Sequence, residues 1–360
     1  MRGLAIIGNP ENRRVSFFVA AVRAVDLPEP VVVPWLDVVR GSDVRIPAGA
    51  LVRLDSPGEN AEVDRLLRRA AAPARHGELV GLAAWYAGFR AALDRVAELA
   101  RSVGATLVQD PAEIVTMFDK RACHALLRDA GLPVPPALPA PSSYAELRAA
   151  MAEAGWRRVF VKPAYGSSAA GIIALRVHSG RVWATTPIEE SGGRLFNSLR
   201  VREHHDEATV ARLVDRLAPE GLHVERWFPK AALDGRVTDL RIVVIDGRPT
   251  HVVVRTSRTP MTNLHLGGRR GDLAALRTAA GEQAYGEAMR TCARVARCFP
   301  GSLHVGVDLM FSPDWRRHAV AEVNAFGDLL PGLVVDGRDT YAEQVAVLRR
   351  RYPAAAEAAA

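Results

Sequence analysis

Cysteine is scarce in this chain of 360 residues, and long apolar runs are missing. The three cysteines, Cys123, Cys292 and Cys298, are an odd number without CxxC spacing, which argues against a disulfide framework and against a zinc site. No stretch approaches the roughly 20 apolar residues of a membrane helix, and the apolar stretch before Gly8 is too short for a signal-peptide core. The sequence therefore predicts a globular cytoplasmic protein without a membrane span.

Lysine is equally rare, because only Lys120, Lys162 and Lys230 are lysines among 47 basic residues. In a chain that uses arginine nearly everywhere, a lysine indicates a position that needs a compact ammonium and cannot take a planar guanidinium. Phosphate binding is one such position. The alternative for each of them is a solvated surface position.

The net charge gives little support for nucleic-acid binding. The chain carries 47 basic and 40 acidic residues, for a net charge of +7. The arginines alternate with acids, as in RLLRRAAAPARHGE, and no run of about five or six like charges occurs. We interpret the basic balance as a compositional bias toward arginine and alanine, and we expect no nucleic-acid partner.

Strand and helix patterns alternate in the first third of the chain. Strand patterns at 3–8, 31–36 and 105–110 have helical patterns between them, which predicts an α/β layer. Farther on, Thr116 and Asp119 are predicted to form a capping box that opens a helix. The chain is expected to comprise an N-terminal domain over 1–113, domains over 114–224 and 225–352, and a tail over 353–360.

The segment FVKPAYGSSAAG carries the first candidate chemistry. Lys162 ends an apolar run, and small residues follow from Gly166 through Ser167 and Ser168 to Gly171. Small residues let backbone N–H groups approach phosphate oxygens, and serine hydroxyls add donors. The lysine precedes the glycines, so this is not a Walker loop. A hairpin with a long turn is the alternative interpretation.

Two acidic strand patterns, GVDLM and AEVNAFG, lie near the C-terminus. Side chains two positions apart share a strand face, so Glu322 and Asn324 project together. If residues 313–317 form the connecting loop, Asp308 lies directly opposite Glu322. Two carboxylates so placed repel unless something compensates, and two carboxylates with an amide oxygen favour magnesium or manganese. The alternative is a solvated face of an edge hairpin.

Arginines mark a third segment, from DLRIVVI to TNLHLGG. Asp239 and Arg241 share one strand face, Arg255 lies in the next strand pattern, and a loop with Asn263 and His265 follows. Arginines in a cleft suit an anionic substrate or a transferring phosphoryl group. For His265 a backbone hydrogen bond in the loop is favoured over catalysis.

In this order the pieces resemble the ATP-grasp superfamily over about residues 114–335. The matching pieces are DK at 119–120, FVKP with its small-residue loop, VERWF, DLR, VVVR, TNLHLGG, GVDLM and EVNAFGDLLPG. The likeness is greatest to the branch of glutathione synthetase and the ribosomal-protein glutamate ligases. It implies an α/β chain, α+β in its nucleotide-binding part, with an ATP-grasp fold preceded by an α/β domain that holds part of the acceptor substrate.

The resemblance also implies the residues that bind ATP and metal. The nucleotide would be bound by Lys120, Lys162, Ser167, Ser168, Gly171 and the strand Glu225, Arg226, Trp227 and Phe228, whose backbone would read the adenine. Magnesium, with manganese as the alternative, would be bound by Asp308, Glu322 and Asn324. The catalytic residues facing the acyl phosphate would be Arg241, Arg255 and Asn263.

The sequence departs from the family pattern at three places. After VERWF the family usually has an acidic residue for the ribose, whereas this chain has Pro229 and Lys230, with Asp234 as a candidate substitute. After EVNAF the usual small Ser-Pro-Gly is replaced by GDLL at 327–330, which changes the acceptor side. The stretch at 194–205 has no counterpart and is either an acceptor contact or a solvated edge.

The resemblance implies an ATP-dependent ligase that activates a carboxylate as an acyl phosphate for attack by an amine, with ADP and phosphate as products. Its partners would be a small-molecule or peptide carboxylate and an amine acceptor, and a homodimer is compatible with the sequence. Two alternatives stay open. One is an ATP-grasp kinase that phosphorylates a hydroxyl, and the other is a nucleotide-binding protein without turnover.

Overall fold

Three β-sheets organise the chain, and each is built from a continuous stretch of sequence. The computed structural model describes residues 2–166, 169–326 and 330–353. The first sheet is parallel, whereas the second and third are antiparallel. The fold class is therefore α/β in the first layer and α+β in the rest, as predicted.

The N-terminal sheet has the strand order β2-β1-β3-β4. Its strands are β1 (Leu4–Gly8), β2 (Val31–Pro34), β3 (Leu51–Leu54) and β4 (Thr106–Leu107). Its helices are α1 (Arg13–Arg23), α2 (Trp35–Arg40), α3 (Ala61–Leu67) and α4 (Leu82–Ser102). Strand β1 is buried throughout, as is usual for parallel strands covered by helices. The strand predicted at 31–36 ends at Pro34, because Trp35 begins α2 and donates its indole N–H to the Asp55 carbonyl.

Two helices, α5 (Pro111–Phe118) and α6 (Lys120–Asp129), connect the first sheet to the second. The predicted capping box is only half right. Asp119 caps α6 with its side chain, whereas Thr116 lies inside α5 and donates its hydroxyl to the Ala112 carbonyl. Helix α5 has its own start, because the Asp110 side chain accepts hydrogen bonds from the first turn.

The middle sheet has the strand order β5-β10-β6-β7-β8-β9. Its strands are β5 (Ala137–Leu138), β6 (Arg158–Pro163), β7 (Ile173–His178), β8 (Arg181–Ser191), β9 (Arg194–His204) and β10 (Leu222–Arg226). Helices α7 (Tyr144–Glu153) and α8 (Glu207–Leu217) pack beside it. The stretch at 194–205 is thus mostly the edge strand β9, which pairs with β8.

The C-terminal sheet has the strand order β14-β13-β12-β15-β16, and β11 pairs with β12. Its strands are β11 (Ala232–Leu233), β12 (Arg236–Ile245), β13 (Arg248–Ser257), β14 (Arg269–Arg270), β15 (His304–Phe311) and β16 (His318–Asn324). The helices of this part are α9 (Leu273–Ala280), α10 (Glu282–Arg297) and α11 (Thr340–Arg351). A turn at Asp246 and Gly247 joins β12 to β13, with φ of +54° and +71°.

The N-terminal and C-terminal layers share one hydrophobic core. Phe89 of α4 lies 5.1 Å from Phe118 of α5 and 6.3 Å from Phe326, measured between ring centroids. The boundaries predicted after residues 113 and 224 fall inside α5 and β10. The division into domains stays a prediction.

Membrane insertion finds no support in the helices. Over the described ranges, none combines the length and the apolar character that a bilayer crossing requires. The cytoplasmic location stays a prediction.

Candidate active site

All three lysines of the chain line one cavity between the middle and C-terminal sheets. Lys120 begins α6, Lys162 lies in β6, and Lys230 lies between β10 and β11. Their side chains are 15%, 12% and 10% exposed, so each ammonium has lost most of its water and needs a protein or ligand partner. The three lysines, which stand out in the sequence because lysine is so rare, therefore lie together in the folded protein.

Lys120 joins the small-residue loop to the acidic strand β16. Its Nζ donates to the Gly166 carbonyl at 2.6 Å and lies 3.0 Å from Glu322 Oε1. Its backbone N–H donates to the Ala164 carbonyl at 3.0 Å, which anchors the start of α6 to the segment after β6. An ammonium between a carbonyl and a carboxylate is well placed for a phosphate oxygen.

Lys162 is paired with Glu225, which lies in the strand predicted to read the adenine. Its Nζ lies 2.5 Å from Glu225 Oε1, and His223 Nε2 lies 3.3 Å from Glu225 Oε2. Burial raises the pKa of Glu225, but the Lys162 charge and the His223 hydrogen bond outweigh it and lower that pKa to about 2. Burial lowers the pKa of His223 below its usual value. The site thus holds an ionised carboxylate beside Lys162.

The predicted phosphate loop is described only in part, because Ser167 and Ser168 lie outside the described residues. Gly171 has a φ of +71°, and a Cβ there would come within 2.7 Å of Pro163, so glycine is required. Tyr165 stacks on Tyr86 of α4 with 4.2 Å between ring centroids. The start of the loop is therefore attached to the N-terminal layer.

The strand predicted to read adenine is partly committed to protein contacts. Arg226 N–H donates to the Pro136 carbonyl at 2.8 Å, and Trp227 N–H donates to the Arg158 carbonyl at 3.1 Å. Glu225 of this strand lines the cavity. Among the residues that the structure describes there, Arg226, Trp227 and Phe228 do not line it. The adenine contact stays a prediction.

Asp308 of β15 lies directly opposite Glu322 of β16, as the alternation of side chains predicted. The connecting loop is longer than predicted, because Phe311 pairs with His318 and Ser312 is therefore also in the loop. A shift in register between Asp308 and Leu309 restores the predicted pairing.

The two carboxylates are compensated by protein cations. Both Asp308 oxygens accept from Arg241, Oδ2 at 3.1 Å from Nη2, and Arg255 Nη2 lies 3.2 Å from Oδ2. Glu322 has Lys120 as its partner. Burial raises the pKa of Asp308, but the Arg241 and Arg255 charges outweigh it and hold that pKa below its usual value. Cations of the protein therefore compensate the predicted repulsion in this structure, and the metal site stays a prediction.

Asp239 extends these contacts into a chain of alternating charges. Its Oδ1 accepts from Arg255 Nε at 2.8 Å, and its Oδ2 lies 3.2 Å from Lys230 Nζ. The order is Arg241, Asp308, Arg255, Asp239 and Lys230. Burial lowers the pKa of Arg255, but the two carboxylates prevail and raise it. We call these five residues the charge chain.

The donor set of Asp308, Glu322 and Asn324 fits a hard divalent cation in chemistry. Asn324 pairs with Gly306, which lies on the same strand face as Asp308. Its Nδ2 donates to the Gly306 carbonyl at 3.5 Å, so its Oδ1 is the atom that could serve as an oxygen ligand. Two carboxylates and an amide oxygen suit magnesium. Over the described ranges no group of three or more His, Cys, Asp or Glu side chains is placed to hold a metal ion.

Asn263 lines the cavity and shapes the loop around it. Its Oδ1 accepts from His265 N–H at 2.9 Å and caps a short 3-10 helix over Leu264–Leu266. A Cβ on Gly268 would come within 2.6 Å of the Thr262 carbonyl, so glycine is required here too. His265 itself is exposed.

A second cavity, of about 290 Å³, is lined by Glu322 and Asn324 at one end and reaches the N-terminal layer. Arg14, Ser56 and Glu59 line its far wall. Asn12 connects Arg14 to Glu59. Its Oδ1 accepts from Arg14 N–H at 2.9 Å, and its Nδ2 donates to Glu59 Oε2 at 3.0 Å. These residues were missed, although their position after parallel strands is a signal for ligand contact.

Lys230 and Asp239 were also missed as site residues. The rarity of lysine is a signal for the first, and the shared face with Arg241 is a signal for the second. Neither signal shows that the two residues meet.

No family model and no curated protein sequence matches this chain. Solved structures do match over nearly the whole length. D-cycloserine synthetase DcsG has a TM-score of 0.58 at 18% identity, covering 96% of this chain and 98% of that one. An ATP-grasp ligase associated with RiPPs from Chryseobacterium gregarium, complexed with ADP and a leader and core peptide, has a TM-score of 0.56 at 11% identity and covers 98% of both chains. ATP-grasp ligase PsnB, complexed with a minimal precursor, has a TM-score of 0.55 at 17% identity, covering 97% of this chain and 99% of that one. The chain has the ATP-grasp fold.

Proposed function

We propose that this protein is an ATP-dependent ligase that activates a substrate carboxylate as an acyl phosphate and passes the acyl group to an amine, releasing ADP and phosphate. The observation that carries the proposal is one cavity lined by Lys120, Lys162 and the opposed carboxylates of Asp308 and Glu322. Cations for phosphates and oxygen ligands for a divalent ion are the parts that phosphoryl transfer needs.

Lys120 and Lys162 bind the phosphates in this proposal. Each has a carboxylate partner in the structure, Glu322 or Glu225, which holds the ammonium at the cavity wall. Ser167, Ser168 and Gly171 belong to the proposed phosphate loop. The nucleotide base lies beside the strand that contains Glu225.

Asp308, Glu322 and Asn324 hold magnesium, with manganese as the alternative ion. When bound, the ion neutralises charge on the transferring phosphoryl group. Asp308 is held between two arginines, so its carboxylate stays oriented and ionised.

Arg241 and Arg255 stabilise the negative charge of the acyl phosphate. A guanidinium has five N–H donors. Arg255 uses Nε on Asp239 and Nη2 on Asp308, which leaves further donors for phosphoryl oxygens. Asn263, at the same cavity, adds an amide donor. These contacts act by positioning and by electrostatic stabilisation.

The second cavity is the proposed entry for the acceptor amine. It connects Arg241, Arg255 and Asn324 with the N-terminal wall. Arg14 is half-buried there, and Glu59 supplies a carboxylate for an ammonium. An amine entering here reaches the acyl phosphate without crossing the nucleotide cavity.

The structural neighbours support a ligase and favour keeping peptides among the candidate acids. PsnB is described in complex with precursor peptide and AMPPNP, and with minimal precursor, Mg and ADP. At these identities the likeness carries the fold, and the substrates of this chain stay part of the proposal. Resemblance to the glutathione synthetase and glutamate ligase branch likewise stays a prediction.

The test is ADP and phosphate release measured across a panel of carboxylates and amines, with products identified by mass spectrometry. We expect release only when acid and amine are both present. The Lys162→Arg variant is the control, since a guanidinium does not fit beside Glu225 and the phosphates, and we expect it to be folded and inactive. Phosphorylation of a hydroxyl compound without an amine would indicate a kinase, and binding without turnover would indicate a nucleotide-binding protein.

A further inference from the structure

Residues 258–268, which we call the clamp segment, connect β13 to β14 and join the two sheets that enclose the nucleotide cavity. Met261 and Leu266 are buried against Phe160 and Ala174 of the middle sheet, although the segment belongs to the C-terminal sheet. Asn263 lies in this segment and lines both cavities. Its position depends on what holds the segment down.

Lys230 holds the clamp segment through three hydrogen bonds. Its Nζ donates to Thr262 Oγ1 at 2.9 Å and to the Pro260 carbonyl at 3.3 Å, both in the segment, and to Asp239 Oδ2 of β12 at 3.2 Å. The Thr262 hydroxyl also donates to Asp239 Oδ2. One ammonium thus joins the chain after β10, the strand β12 and the clamp segment.

The number of these contacts separates Lys230 from the other two lysines. An ammonium has three N–H donors, and the three contacts use all of them. Lys120 and Lys162, in contrast, contact a carboxylate at the cavity wall, and for Lys120 one loop carbonyl as well. Lys230 is therefore already saturated by protein acceptors, which suits a structural tie and not a phosphate ligand.

The hydrogen bonds of Lys230 are connected through the charge chain to Arg255, which is proposed to contact the acyl phosphate. Asp239, which accepts from Lys230, also accepts from Arg255 Nε, and Arg255 contacts Asp308. The clamp segment and Arg255 therefore share Asp239 as their common support. A displaced Lys230 would release the segment on one side and Asp239 on the other.

We propose that Lys230 is a positioning residue that fixes the clamp segment over the cavity and keeps Asn263 beside Arg255. The roles of Asn263 and Arg255 toward the acyl phosphate rest on the proposed function, whereas the tie itself does not. An arginine at this position would not replace the lysine, because three acceptors in three directions require a compact ammonium and not a planar fork.

Hydrogen–deuterium exchange of the full chain tests the tie directly. We expect Lys230→Met and Thr262→Val each to raise the exchange rate of residues 258–268 by about tenfold or more, with β15 unchanged. The matched control is Thr259→Val, which removes a hydroxyl bond to the Met261 carbonyl in the same segment but touches no atom of Lys230. Exchange in the control should match the parent.

Magnesium with AMP-PNP, an analogue that is not hydrolysed, is the ligand probe in a second arm. It should slow exchange of the segment in the parent and less so in Lys230→Met. Parent-like exchange in both tie variants, or an equal rise in Thr259→Val, would overturn the proposal. If Lys230→Met does not fold, Thr262→Val decides, since valine keeps the volume and removes the contact.

Kinetics add a readout that a merely stabilising residue would not move. In the acid-plus-amine assay we expect Lys230→Met to lower kcat at least about tenfold with KM for ATP within about threefold of the parent. A raised KM with unchanged kcat would overturn the proposal in favour of direct nucleotide binding. A parent without turnover would refute the proposed ligase, while the exchange result would still decide the role of Lys230.

Discussion

The two antiparallel sheets face the same cavity but hold their charges differently. In the middle sheet, Lys162 and Glu225 form a compact pair with His223 beside it. In the C-terminal sheet, the charge chain runs without interruption from Arg241 to Lys230. The chain arises from strand register, because Asp239 pairs directly with Arg255 and Arg241 pairs directly with Asp308 across neighbouring strands.

This difference determines how far a substitution propagates. Removing one member of a pair leaves one buried partner without its counter-charge, whereas removing an inner member of the charge chain takes one counter-charge from each of two buried neighbours. Breaking a buried ion pair by removing one partner costs about 3–5 kcal/mol, because the remaining charge stays desolvated. The C-terminal sheet should therefore be the more sensitive of the two.

The largest effect is expected from Asp308→Asn without any ligand. The change removes the counter-charge of Arg241 and one of the two counter-charges of Arg255, and we expect a loss of about 3–5 kcal/mol in the free energy of unfolding. Urea denaturation measures it. A variant as stable as the parent would show instead that relief of repulsion from Glu322 dominates, as the sequence alone had suggested.

A somewhat smaller loss of stability is expected when low pH protonates Glu225 of the middle sheet. Its pKa falls from 4.5 to about 2 on folding, so its contribution is complete above about pH 4.5 and is lost as the pH falls toward 2. For a fully buried group this corresponds to about 3 kcal/mol.

Unfolding curves between pH 6 and pH 2 measure this contribution. Glu225→Gln should be less stable than the parent at pH 6 and should lose less stability on acidification. Parallel curves for the two proteins would contradict the assignment.

Ligand binding should stabilise the protein by a similar or smaller amount, and only in combination. Magnesium alone should leave Tm unchanged, because the Asp308 oxygens are engaged by arginines and three protein ligands do not complete an octahedron. Magnesium with ADP should raise stability by about 2.7 kcal/mol at a hundredfold excess over Kd. Thermal melts with each component alone and together measure this, and stabilisation by magnesium alone would indicate a structural site.

The smallest effect on stability is expected from Glu322→Gln. This side chain is 30% exposed and has Lys120 as its ion-pair partner, so we expect a change of about 1 kcal/mol or less without ligand. The increment from magnesium and ADP should nevertheless disappear, and ADP release should fall by orders of magnitude. Full activity in this variant would remove Glu322 from the metal site.

Local patterns predicted the two acidic strands β15 and β16 well, whereas they did not predict strand β3, which contains a buried arginine. The predicted pairing of Asp308 with Glu322 is present, although the connecting loop is one residue longer than predicted and a register shift after Asp308 makes up the difference. Strand β3 was missed because Arg53 interrupts its apolar pattern. Its guanidinium is buried against Asp55 at 2.5 Å and lies over the Phe18 ring at 4.8 Å. In a sequence, an arginine indicates a surface position, because its burial requires a partner and packing that only the folded structure shows.

The sequence by itself determined which residues could carry the chemistry. The rarity of lysine singled out Lys120, Lys162 and Lys230, and the order of the motifs indicated the ATP-grasp fold. The tertiary structure alone decided which acceptors each lysine contacts. A hydrogen-bonding role depends on which acceptors surround the ammonium, and those around Lys230 come from β12 and the clamp segment, which are distant in sequence from each other and meet only in the folded sheet.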